Sequence, residues 1–238
     1  MLDRQSFKKA LRTELESHIT LDQPIISELF RGKPNWSLLR LMAVQGYQLT
    51  KHFLTYVEYL FHHCPPGIHK RRLLINLYEE ETGALSRTDN HVVLMQKFLR
   101  AIGISDEDRE AAVALPATRE LIERRMQYVV DPARFHLGAA AVLVASEGQN
   151  LETKAGEARH SLLGQVYGID QADLLFFSVH QMEDVGHVRE GIDVVADVCH
   201  NETMQNEALR AVGEVCSLFA NMYAGIGEHF YRCIAPTA

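Results

Sequence analysis

The sequence predicts an all-α fold, a bundle of seven or more helices. Apolar residues recur at helical spacing along the whole chain. No two alternating segments are joined by hairpin turn chemistry. The 238 residues, 47% apolar and 23% charged, suit a single globular domain over 1–238 with a sizeable core.

Each element follows from its pattern and its stops. Phe7, Leu11 and Leu15 form one stripe on a helix over 3–17. Pro24 suits the first turn of a short helix to Phe30, which Gly32 and Pro34 end. A long helix from Trp36 to His63 directs Leu39, Met42, Gly46, Leu49, Phe53, Tyr56 or Val57, and Leu60 inward, and Cys64-Pro-Pro-Gly67 stops it. A helix over 68–82 weakens at Thr82-Gly83. Thr88 or Asp89 is expected to cap the next, which runs to Ile102 with Gly103 after it. Ser105 starts a short helix with acids in its first turn, and Pro116 opens another that ends near Val130. Asp131-Pro132 is expected to begin one long helix to about Val166, apolar and buried near 136–151. Gly168 turns the chain, and two helices follow, from Asp170 or Gln171 to Cys199 and over 201–234.

Composition excludes several classes. A net charge of −7 disfavours a broad nucleic-acid or anionic-membrane surface. The N-terminal stretch lacks an apolar core like that of a signal peptide, and the longest apolar run, Ala139–Ala145, is far too short to span a bilayer. Cys64, Cys199, Cys216 and Cys233 form no CxxC and read as free thiols in the cytoplasm. Glycine-rich phosphate loops and a nucleophile elbow are absent from the sequence.

Three places carry chemistry. His180, Asp184 and His187 sit at i, i+4 and i+7, within roughly 40–60° of one another on one helix face. Two imidazoles and a carboxylate so placed can hold a divalent metal, although a polar surface stripe has the same spacing. Glu147 ends the run Ala139–Ala145, where a buried carboxylate must be neutral, paired or metal-bound. It also suits the point where an apolar face meets solvent. The third place is Glu79-Glu80-Glu81 followed by His91. A solvated face is the ordinary reading of a glutamate run. If Glu81 points inward, with Leu77 and Tyr78 on its buried side, it and His91 reach one metal only where the helix breaks, as Gly83 and Ser86–Asn90 allow.

The order Glu81, His91, Glu147, then His180-x3-Asp184-x2-His187 after an aromatic pair resembles the haem-oxygenase-like diiron oxidases and oxygenases. These share a seven-helix fold with the pyrroloquinoline-quinone synthesis protein C and thiaminase-II families. The resemblance covers nearly the whole chain. It implies six metal ligands, Glu81, His91, Glu147, His180, Asp184 and His187, holding two Fe(II) ions, with manganese as the other metal suited to that donor set and O2 as co-substrate. Glu147 is expected to bridge, with Glu81, His91 and His180 nearer one ion and Asp184 and His187 nearer the other. The less regular helix of Glu81 and His91 should make theirs the weaker site.

The expected function is oxidation of a small molecule, an amine or amino acid in a specialised biosynthetic pathway, with no nucleic-acid or membrane partner. A homodimer is common for such a fold. Lys154, Arg159 and His160 are candidates for a substrate carboxylate, though surface solvation is their ordinary role. Asp193, Asp197 and His200 read as solvent-facing. Three alternatives stand beside this reading. One is a metal-free oxidase or thiaminase-like hydrolase, for which no cysteine is well placed. Another is a self-processing p-aminobenzoate synthase, whose resemblance implies a tyrosine just before the second glutamate, where this chain has Ser146. The last is a non-enzymatic interaction protein.

Overall fold

The computed structural model describes residues 1–18, 23–149 and 159–233, without the side chains of 159–160 and 181–185. Its helices are α1 (Arg4–Ser17), α2 (Pro24–Leu29), α3 (Trp36–His63), α4 (Ile68–Thr82), α5 (His91–Ala101), α6 (Asp106–Ala111), α7 (Pro116–Val129), α8 (Phe135–Ala139), α9 (Arg159–Tyr167), α10 (Leu175–Val198) and α11 (Glu202–Cys233). Among the described residues there is no strand. No single described helix is long and apolar enough to cross a membrane.

Most boundaries follow local chemistry. Asp3 caps α1 by accepting from the Gln5 and Ser6 amides, Ser105 caps α6, and Pro116 opens α7. The cap of α5 is Asn90 rather than Thr88 or Asp89, and its side chain accepts from the Val92 and Val93 amides. The expected single helix from 131 to 166 is interrupted. A 3-10 turn at Pro132–Arg134 precedes α8, and Ala140–Ser146 forms a π-helix. Of the remainder of that expected helix, 150–158 lies outside the described residues and the last part belongs to α9.

The π segment is the buried centre. Residues Ala139 to Ala145 are all at most 6% exposed, and α10 and α11 pack on either side. Small side chains permit the close approach. Gly191 of α10 lies so near the Leu143 carbonyl that an added Cβ would collide with it. One apolar cluster surrounds this centre, including Phe7, Leu11, Val212 and Cys216. A second joins α2, the start of α3, α5, α9 and the end of α11 through residues such as Ile25, Leu38, Phe98 and Phe230. A cavity of about 210 Å³ has walls drawn from both clusters. The inward stripe of α3 therefore divides. Tyr56, Val57 and Leu60 are buried away from the cavity, while Leu39, Met42, Gly46, Leu49 and Phe53 line it.

Candidate metal centre

The three consecutive glutamates at the end of α4 have different environments. Successive helical residues turn by about 100°, so neighbours in sequence face different sides. Glu79 turns to the chain reversal after Gly83. Its carboxylate accepts from the Leu85 amide at 2.7 Å, from the Ser86 amide at 3.2 Å and from the Ser86 hydroxyl. Burial pushes Glu79 up, but those hydrogen bonds outweigh it and hold it below the usual carboxylate range. Glu80 faces the interior and is 7% exposed. Glu81 is exposed, and its carboxylate accepts from the Asn90 side chain at 3.1 Å.

The expectation that Glu81 points inward is thus corrected to Glu80, and Tyr78, expected on the buried side, is 51% exposed. Leu73, Leu77 and Glu80 sit at i, i+4 and i+7, the spacing that could have identified the inward glutamate.

The chain does break between Glu80 and His91, as expected. Gly83 takes the left-handed conformation at φ 60° and ends α4, and His91 becomes the first residue of α5. This reversal brings His91 Nδ1 to 2.9 Å from Glu80 Oε2, with Glu79 Oε1 at 3.7 Å from Nε2. His180, from α10, completes the group. One ligand atom from each of Glu80, His91 and His180 lies within 4.8 Å of the others.

The His180 ring is fixed from behind. Its Nδ1 is 2.6 Å from the Phe176 carbonyl, which only a protonated Nδ1 can satisfy, so Nε2 keeps a lone pair for a metal. Burial, and then the charge of His91, holds His180 below the usual imidazole value. Burial pushes Glu80 the other way, but the His91 hydrogen bond and the charges of His91, His180 and His187 outweigh it. Glu80 is thus held as an anion beside the imidazoles, a form suited to ligation.

Glu147 follows the π segment, is 3% exposed and lines the cavity with Glu80 and His180. A π turn carries an extra residue and rotates the helical face of the residues after it, and such turns recur at functional sites. Glu147 Oε1 has no hydrogen-bond partner, and His187 Nδ1 lies 3.6 Å away. An orphaned buried carboxylate oxygen fits an interaction with a cation. The side chain of Asp184 lies outside the described residues.

Fold and site together define a helical protein with a buried carboxylate–imidazole cluster suited to iron. The sequence profile of the iron-containing redox enzyme family matches residues 40–220, and the chain belongs to that family. It is 27% identical to a 4-aminobenzoate synthase of Nitrosomonas europaea, over 94% of this chain and 92% of that one. A 4-aminobenzoate synthase of Chlamydia muridarum is 24% identical over 78% and 75%. A TenA homolog from Pseudomonas syringae superposes with a TM-score of 0.74 at 14% identity, covering 92% of both chains. A CADD-like protein of unknown function from Nostoc punctiforme gives 0.69 at 12% identity, covering 98% of this chain and 96% of that one. The fold is therefore the haem-oxygenase-like helical bundle.

Proposed function

We infer that this chain is a non-haem diiron enzyme that uses O2 to oxidise a small molecule. The carrying observation is the buried group of Glu80, His91 and His180 beside the unsatisfied oxygen of Glu147. In this reading Glu80, His91, Glu147, His180 and His187, with Asp184 as the sixth expected ligand, would hold the two ions. Mixed oxygen and nitrogen donors suit iron, and also manganese. When bound, the metal pair supplies the site for O2 and the electrons to reduce it. The protein orients His180 through the Phe176 carbonyl, keeps Glu80 ionised and surrounds the cavity with apolar side chains that limit water.

A hydrolase reading that needs a nucleophilic thiol has little support. Burial pushes the thiols of Cys199 and Cys216 up to about 12, and none of the four cysteines lines the cavity. The test is anaerobic iron loading followed by O2. About two irons per chain and an optical change on exposure support the reading; no iron uptake and no O2 consumption would sink it.

A second reading, 4-aminobenzoate formation, is favoured by the names of the relatives. Tyr223 lines the cavity and is the tyrosine we would examine for self-processing. Ser146, in the position expected for a tyrosine, donates instead to the Ala141 carbonyl at 2.9 Å. Intact-protein mass before and after iron and O2 decides, because self-processing changes the mass of the chain and turnover of a separate substrate does not.

A further inference from the structure

Arg125 on α7 is 2% exposed and lines the same cavity as Glu80, Glu147 and His180. Its guanidinium keeps its charge at any physiological pH. The protein offers that charge little. The guanidinium carbon stands 4.8 Å from the centre of the Tyr56 ring and 5.6 Å from that of Phe219. Nη1 reaches the Ser146 hydroxyl at a long 3.5 Å, while Nε and Nη2 have no hydrogen-bond acceptor. The Tyr56 hydroxyl donates its own proton to the Ile122 carbonyl at 3.1 Å, and its oxygen accepts from the guanidinium, a neutral partner that brings no counter-charge. No described carboxylate forms an ion pair with Arg125. Glu147 shares the cavity, but its charge is directed to His187 and, in the reading above, to metal.

A buried cation without a counter-charge is costly, and buried arginines are ordinarily paired. The missing partner is an anion that enters the cavity. We propose that Arg125 is the anchor for a substrate carboxylate, and that the cavity takes a small apolar or aromatic carboxylate. The fork of Nε and Nη2 matches the two oxygens of a carboxylate. Met42, Phe53, Met95, Phe98, Phe176 and Phe177 supply the apolar wall for its body. Glu80 and Glu147 in the same wall select against dianions such as phosphate monoesters. At about 210 Å³ the space greatly exceeds the roughly 30 Å³ share of one water. This inference rests on the cavity being the substrate site of the proposed oxidase.

The test uses the full chain with metal removed by chelation, so that binding is read apart from iron and turnover. Benzoate and octanoate are titrated calorimetrically against their neutral isosteres, benzamide and octanamide. The expected result is that the better-binding carboxylate binds at least about tenfold more tightly than its amide, as hydrogen bonds to charged groups are worth. Arg125→Lys, which keeps the charge and loses the fork, should weaken the carboxylate by roughly ten- to hundredfold. Arg125→Met should bind acid and amide equally while melting at or above the wild-type temperature, because it removes an unpaired buried charge. Equal binding of acid and amide by the wild type overturns the proposal. So does carboxylate affinity unchanged in Arg125→Lys, an arm that stands even where the methionine variant fails to fold. Failure of iron loading with this selectivity intact removes the diiron reading and leaves the carboxylate site.

Discussion

His91 Nδ1 and Glu80 Oε2 lie 2.9 Å apart in the interior, joined by a chain reversal that begins at Gly83. The pairing makes Glu80, and not its exposed neighbour Glu81, the residue through which α4 serves the site. Glu80→Ala should abolish metal uptake by the Glu80–His91–His180 group, whereas Glu81→Ala should leave metal content near wild type. Metal analysis of the two purified variants checks this, and equal losses would place the ligand wrongly.

Glu79 has a different task. Its carboxylate holds the amides of Leu85 and Ser86 and so shapes the reversal that delivers His91. Glu79→Ala leaves those donors without their acceptor and should cost about 1–3 kcal/mol in chemical unfolding. Iron affinity should fall with it, through misplacement of His91.

Metal binding should stabilise the fold. Glu147 Oε1 lacks a hydrogen-bond partner, and Glu80 shares a buried space with three imidazoles whose charges it feels. A ligand bound only by the native state at about a hundredfold above its Kd adds roughly 2.7 kcal/mol. Thermal melts with Fe(II) added anaerobically, or with Mn(II), should shift upward and return on chelation.

The contact between Gly191 and the Leu143 carbonyl sets how closely α10 approaches the π segment. Gly191→Ala forces the helices apart and should cost about 1–3 kcal/mol, as overpacking does. Denaturant midpoints measure it, and a midpoint equal to wild type would show that the helices separate without loss.

Asp193 and Asp197 are joined to the N-terminal helix, not left to solvent as their sequence pattern suggests. Arg4 Nη2 reaches Asp193 at 2.9 Å and Arg4 Nε reaches Asp197 at 2.5 Å, while Lys8 also pairs with Asp193 at 2.6 Å. Burial pushes Asp193 up, but Lys8 and Arg4 outweigh it; at Asp197 the Arg4 hydrogen bond is the leading cause, and both carboxyls lie below the ordinary 3.8. Groups lowered by folding stabilise the protein above that value, and the contribution is lost as pH falls through the folded values. Arg4→Ala should therefore lower stability at pH 7 by about 1 kcal/mol and flatten its dependence on pH below about 4. Unfolding curves across that range test it.

Much of the architecture is legible in residue order. The stripe of Phe7, Leu11 and Leu15, the proline openings of α2 and α7, and the glycine stops rest on local rules, and the observed helices follow them. The π segment is less legible, because a run of small apolar residues suits an α-helix equally well. Gln45 and Gln48 of α3 are both buried. Gln45 bonds the Val113 carbonyl at 3.1 Å and the Leu115 amide at 2.9 Å, and Gln48 bonds the Ala112 carbonyl at 3.1 Å. Such partners are far away along the chain and leave no local pattern.

The sequence alone determined the helical class, the break before His91 and the presence of carboxylates and histidines at helical spacing, because each depends on neighbours within a few residues. Tertiary structure decided which of three adjacent glutamates turns inward, since one residue changes a helical facing by about 100°. It also decided that Arg125, unremarkable in an exposed-looking stretch of charges, stands buried between Tyr56 and Phe219 in the wall of the cavity. Burial of a charge is a property of everything packed around it, and only the assembled helices define it.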